Sequence, residues 1–297
     1  MNAERAVAEW GLTMDVKDFS RAKIGKLIFV YILLFLAGDL LNSLLFDLLF
    51  SVVHLQIREF YYILRMGGCL AVTYFLFWFY TTKVLQMNMK AFGITFAVDN
   101  RGILSAIILP VFVVFIFLLI GDTAVHKFSF GEILLIVAVS VMTSVKSGIL
   151  EEMLFRGYIM RLIESGWNKY SAIMLPSVLF GLLHLPSMET FGFSSVLLLV
   201  FSGTLVGIMF SVIAYKQNSI GNSVLLHAAW NFVMITDILH ITTEQEAYGN
   251  PIVSVIIPSD NIFLTGGGFG VEASVVAIIG YCIVCGFVLF TSKKNLT

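Results

Sequence analysis

The sequence predicts an all-α, polytopic membrane helix bundle of about eight transmembrane helices, with both termini cytoplasmic. Three observations carry this. Of 297 residues, 59% are hydrophobic and only 12% charged, about half the charged share of a soluble domain. The apolar runs are continuous rather than alternating and reach the roughly 20 residues that a helix needs to cross a bilayer. The third observation is an uneven division of Lys and Arg between alternate connections, which sets the orientation.

In chain order the spans fall near residues 27–50, 64–82, 103–121, 135–162, 171–185, 195–215, 220–239 and 272–290. Eight spans put both termini on one side. The segments expected there carry Arg5, Lys17, Arg21, Lys23, Lys26, Lys83, Lys90, Arg101, Arg156, Arg161, Lys169, Lys216, Lys293 and Lys294, against Arg58, Arg65 and Lys127 on the other side. A miscounted span would scramble that division. Residues 1–26 read as a cytoplasmic N-terminal segment without a removable signal, and residues 27–297 as a single transmembrane domain. The expected location is the plasma membrane of a bacterium, with the lipid bilayer itself as a partner.

Connections are short except Ile241–Val271, which holds Pro251, Pro258 and the run Gly266-Gly267-Gly268-Phe269-Gly270. No strand precedes that run and no Lys-Ser/Thr follows it, so it does not cradle phosphate; it is expected to be a flexible external loop. A net charge of -1 and no basic cluster beyond the N-terminal segment leave no footprint for nucleic acid. Cys69, Cys282 and Cys285 lie in apolar segments and read as small core hydrophobes. No inverted internal repeat of the kind that marks many transporters is visible.

Ionisable groups inside a membrane are costly and are candidates for function by default. The fourth span holds the densest set, Glu151, Glu152 and Arg156. Glu152 and Arg156 are four apart and share a helix face, whereas Glu151 points about 100° away and is left as the freer carboxylate. Their alternative reading is a solvated interfacial turn. In the fifth span Phe180 precedes His184 by one turn and is placed to pack under it, Gly181 permits close approach of a neighbour, and Pro186 closes the helix. In the seventh span His227 and Asn231 share a face, with Ala228 and Ala229 keeping the neighbourhood small. The alternative for this pair is interhelical hydrogen bonding alone.

Counted at about 1.5 Å per residue from the cytoplasmic ends, these four groups from three helices fall in one layer, roughly 10–20 Å deep. A carboxylate, two imidazoles and an amide are parts for activating water and stabilising an oxyanion, or for binding a metal. Other polar groups read as structural: Asp39 and Asn42, with Asp47, as interhelical hydrogen-bonding residues; Gly203 and Gly207 as a close-packing pair; Lys146 as a neutralising charge near the cavity; and His54, His126, Glu132 and His240 as solvated span-edge residues.

The run Glu151, Glu152, Arg156, the pair Phe180, His184 and the pair His227, Asn231 together resemble the three motifs of the CPBP family, the CAAX proteases and bacteriocin-processing enzymes also called Abi. The resemblance covers residues 151–231; the first half of the chain is similar only in being hydrophobic and helical. It implies an intramembrane endopeptidase acting on a peptide or membrane-anchored protein that enters from the cytoplasm or laterally. Glu151 and His184 would activate the water and His227 and Asn231 would form the oxyanion site, with Glu152, Arg156 and Phe180 in support. It leaves the metal open: a divalent ion such as zinc on Glu151, His184 and His227, or a metal-free base. The HExxH spacing is absent, which tilts the expectation to no permanently bound metal. The competing class is a catalytically silent scaffold that binds a membrane-protein partner such as a sensor kinase.

Overall fold

The computed structural model describes residues 19–53, 58–244 and 249–291. Arg5, Lys17, His54, Lys293 and Lys294 lie outside the described residues, as does most of the N-terminal segment. The helices are α1 (Arg21–Val52), α2 (Arg58–Phe79, continued by a π turn to Val84), α3 (Asn100–Ile120), α4 (Phe130–Glu152), α5 (Met160–Gly166), α6 (Lys169–Leu183), α7 (Phe193–Gln217), α8 (Gly221–Met234), the short α9 (Ile262–Thr265) and α10 (Val275–Thr291). A π segment, Met153–Ile159, joins α4 to α5 without a break in the rod.

The starts follow from local chemistry, since the first N–H groups of a helix need acceptors. Ser20 caps α1, Asp99 caps α3 through two backbone N–H groups, Ser129 and Glu132 form a reciprocal capping box on α4, and Asn168 caps α6. Asn218, in the left-handed region at φ 52°, ends α7.

Each expected span coincides with a helix, and the chain is an integral multi-pass membrane protein. Among the described residues six helices are long and apolar enough to cross a membrane: α1, α2, α3, the α4–α5 rod, α6 and α7. At 17 residues α10 is shorter, and α8 has 14, about 21 Å of rise against a core of about 30 Å. Large apolar side chains such as Leu36, Leu48, Val111 and Phe201 are more than half exposed on the bundle's outside, as lipid-facing positions are.

One feature departs from a purely helical reading. A small sheet of order β1-β3-β2 joins β1 (Asp122–Val125), β2 (Leu239–Thr242) and β3 (Val253–Ile256). β1 pairs antiparallel with β3 in the register Asp122–Ile256, and β2 pairs parallel with it in the register Leu239–Val253. The described residues of the connection expected to be a flexible loop, 241–244 and 249–271, are therefore built structure, with backbone pairs satisfied by the distant α3–α4 link. Its burial also corrects two solvation expectations: His240, on β2, is buried, whereas Cys282 on α10 is exposed rather than core.

Asn42, Asp39, Gly203 and Gly207 have the structural roles expected of them, whereas among the described residues no interhelical bond is seen for Asp47. Asn42 donates to the Arg65 carbonyl at 3.1 Å and the Cys69 thiol to Asp39 at 3.6 Å, tying α1 to α2; Asp47 is exposed. A Cβ on Gly203 would sit 2.7 Å from Gly181 Cα, and one on Gly207 2.8 Å from Ser177 Cα. These glycines let α6 and α7 touch backbone to backbone, which fixes the position of the α6 terminus.

Candidate active site

The site is organised around a buried ion pair. Glu152 and Arg156 both have fully buried side chains and meet at 2.9 Å, as their four-residue spacing predicts, so the solvated-turn alternative does not apply to them. Arg156 lies in the π segment, where the widened turn turns seven consecutive side chains inward. Its guanidinium donates to the Gly207 carbonyl at 3.1 Å and lies over the rings of Phe180 and Phe210 at 4.6 and 5.1 Å. A buried cation needs such partners, because desolvation of an unpaired one costs several kcal/mol.

Glu152 also reaches across to α8, where its Oε1 stands 2.9 Å from His227 Nδ1. The carboxylate already accepts from Arg156, so Nδ1 carries the proton of that bond, and Nε2 is turned towards Glu151, 3.8 Å away. The His227 ring stacks on Phe210 at 4.8 Å and 13°, which leaves the imidazole little freedom. Glu151 has the solvent contact that Glu152 lacks, with 23% of its side chain exposed.

His184 caps the C-terminal end of α6, just before the turn containing Pro186. Its Nδ1 lies 2.8 Å from the Phe180 carbonyl. A carbonyl can only accept, so Nδ1 holds the hydrogen of that bond, and in the tautomer this selects Nε2 is the acceptor. Phe180 packs against it as expected, with ring centroids 4.5 Å apart, and also flanks His227 at 6.1 Å. Asn231, one turn beyond His227, donates from Nδ2 to Ser147 Oγ on α4 at 2.8 Å.

Glu151, His184, His227 and Asn231 all line one cavity of about 790 Å³. A pocket of about 40 Å³ adjoins it, lined by Phe180, Leu199, Phe210 and Trp230 as well as His184, His227 and Asn231. Lys146 is not among the lining residues; its neighbour Ser147 takes that place.

Sequence reasoning missed two contributors. The glycine run forms a wall of the cavity: Gly268 accepts from the Glu189 N–H at 2.9 Å, and Phe269 lies 6.0 Å from His184. Glu272, on the turn preceding α10, lines both spaces and accepts from Trp230 Nε1 at 2.7 Å, while its carbonyl accepts from Tyr281 at 2.9 Å. Burial pushes its carboxyl up to about 7. The available signal was a lone acid at the head of an apolar helix, 41 residues beyond Asn231 and so out of reach of the motifs by any helical spacing.

A catalytic zinc takes three protein ligands at about 2 Å. Among the described residues no three His, Cys, Asp or Glu side chains stand close enough to hold one ion. The set Glu151, His184 and His227 is not gathered as ligands here, with His227 Nδ1 committed to Glu152.

Residues 132–233 match the family model described as Type II CAAX prenyl endopeptidase Rce1-like. No curated protein and no solved structure matches the chain. The matched segment runs from the capping box of α4 to the end of α8 and contains Glu151, Glu152, Arg156, Phe180, His184, His227 and Asn231. Over that segment, about a third of the chain, the protein is similar to the CAAX prenyl endopeptidases, in line with the resemblance its motifs carry.

Proposed function

We propose that the protein is an intramembrane endopeptidase in which Glu151 and His184 activate water and His227 and Asn231 hold the oxyanion. The observation that carries this reading is the convergence of these four side chains, from α4, the α6 terminus and α8, on a single cavity. Glu151 is the carboxylate with solvent contact, and His184 Nε2 is an acceptor; a water between them loses its proton to Glu151 while His184 orients it.

The water oxygen bonds to the scissile carbonyl carbon, and the carbonyl oxygen takes the negative charge. Asn231 has one amide hydrogen on Ser147 and a second free to meet that oxygen. His227 donates to the same oxygen through Nε2, while Glu152 holds the ring in place at Nδ1. Collapse breaks the C–N bond, and the proton held by Glu151 passes to the leaving nitrogen. Glu152 and Arg156 touch no reacting atom in this scheme; they position His227.

The test is cleavage of a fluorogenic peptide library by the purified protein, repeated with Glu151→Ala. Turnover by the wild type that vanishes in the variant is the expected result. Undiminished turnover by Glu151→Ala would remove the mechanism.

A further inference from the structure

We infer that the reaction cavity opens on the extracytoplasmic face of the membrane and receives a cationic segment of an exported peptide. The inference rests on the endopeptidase reading for its chemistry, but its sidedness is independent of catalysis.

The sheet fixes which connections share an end of the bundle. β1 comes from the α3–α4 link, and β2 and β3 from the α8–α10 link; since these strands are hydrogen-bonded to one another, the two links lie together. The α6–α7 link joins them there, because Glu189 donates its N–H to Gly268. The cavity is walled by these same connections, through Glu189, Thr190, Glu244, Asp260 and Gly268. It therefore opens at the sheet end.

The other end holds the α2–α3, α5–α6 and α7–α8 links, with Lys83, Lys90, Arg161, Lys169 and Lys216. At the sheet end only Arg58 and Lys127 stand in connections or first turns among the described residues. Short loops rich in Lys and Arg stay in the cytoplasm, so the cation-rich end is cytoplasmic and the cavity faces away from it. Of the two expected routes, entry from the cytoplasm and lateral entry from the membrane, only the lateral one remains, joined by entry from the far side. A substrate confined to the cytoplasm has no route to an opening on the far side.

Charge then selects among exported segments. Glu189, Glu244 and Asp260 line the entrance around the catalytic groups, and among the described residues no Lys or Arg lines it. Three exposed carboxylates, uncompensated by a cation in the same wall, attract a basic peptide and repel an acidic one, raising the encounter rate for the former.

Two measurements test this. With Cys69, Cys282 and Cys285 replaced by alanine, Thr190→Cys and Lys216→Cys are labelled with a membrane-impermeant maleimide in intact cells and again after permeabilisation. Thr190→Cys should react in intact cells and Lys216→Cys only after permeabilisation; the reverse pattern overturns the inference. The purified full chain is then given peptides of one scissile sequence flanked by Lys or by Glu. A lower KM for the Lys-flanked peptide is expected, and Glu244→Gln and Asp260→Asn should each narrow that preference by about twofold to fivefold. Equal KM values for the two peptides would refute the charge selection. Cleavage of neither peptide, with the labelling pattern as expected, would count against the endopeptidase reading and leave the sidedness standing.

Discussion

Adjacent glutamates on one helix are set to fail in opposite ways when neutralised. Glu152 has no exposed side-chain surface and holds two partners at 2.9 Å, Arg156 and His227. Glu152→Gln leaves a fully buried guanidinium without its counter-charge, a loss of about 3–5 kcal/mol. For a chain of this size that lowers the unfolding midpoint by on the order of 10 °C. Glu151 is 23% exposed and the His227 imidazole stands 3.8 Å from its carboxylate, beyond a hydrogen bond; Glu151→Gln should cost less than about 1 kcal/mol while abolishing turnover. Thermal unfolding in detergent, read beside peptide cleavage, separates the two. The double variant Glu152→Gln, Arg156→Met supplies a further check: it removes both charges among Phe155, Phe180 and Phe210 and should recover most of the lost stability without recovering activity, since His227 still lacks its partner. A Glu152→Gln protein as stable as wild type, or a Glu151→Gln protein with full turnover, would refute this division of roles.

Asn231→Ala should lower kcat by about 10² to 10³ with little change in KM, because the oxyanion exists only in the transition state; full kcat would assign the residue to packing. Ser147→Ala should lower kcat less, by freeing Asn231 to rotate rather than removing it, and restoration by Ser147→Thr would mark it as a positioning residue. Gly203→Ala places a Cβ against the Gly181 backbone and should destabilise by about 1–3 kcal/mol while shifting His184, a loss readable in both midpoint and turnover. Hydrogen bonding from His240 holds the Asp237 carboxyl below its ordinary range. Its stabilisation is therefore complete above the unfolded-state value and is lost as pH falls through the lower folded-state value, so Asp237→Asn should flatten the acid limb of a stability profile.

The membrane class, the helix positions and the residues proposed for the site were all legible in the chain. Long unbroken apolar runs can satisfy their backbone in lipid only as helices, and four-residue spacing puts Glu152 with Arg156, and His227 with Asn231, on common faces whatever the surroundings. Gly203 and Gly207 announced a close helix contact for the same local reason. What the spacing could not tell was which helices stand beside which. The Glu152–His227 bond joins residues 75 apart in the chain, and the Asn231–Ser147 bond joins residues 84 apart; neither follows from periodicity, which repeats only within one helix. The sheet, the glycine-run wall and Glu272 were hidden for a related reason, since the segment from Ile241 to Val271 gains its order from β1 and from Glu189 rather than from its own Gly- and Pro-rich composition. The direction in which the cavity opens also depended on the fold: the uneven charge of the loops was visible from the start, but only packing shows that Glu151, His184, His227 and Asn231 line a cavity walled by the connections that those cations avoid.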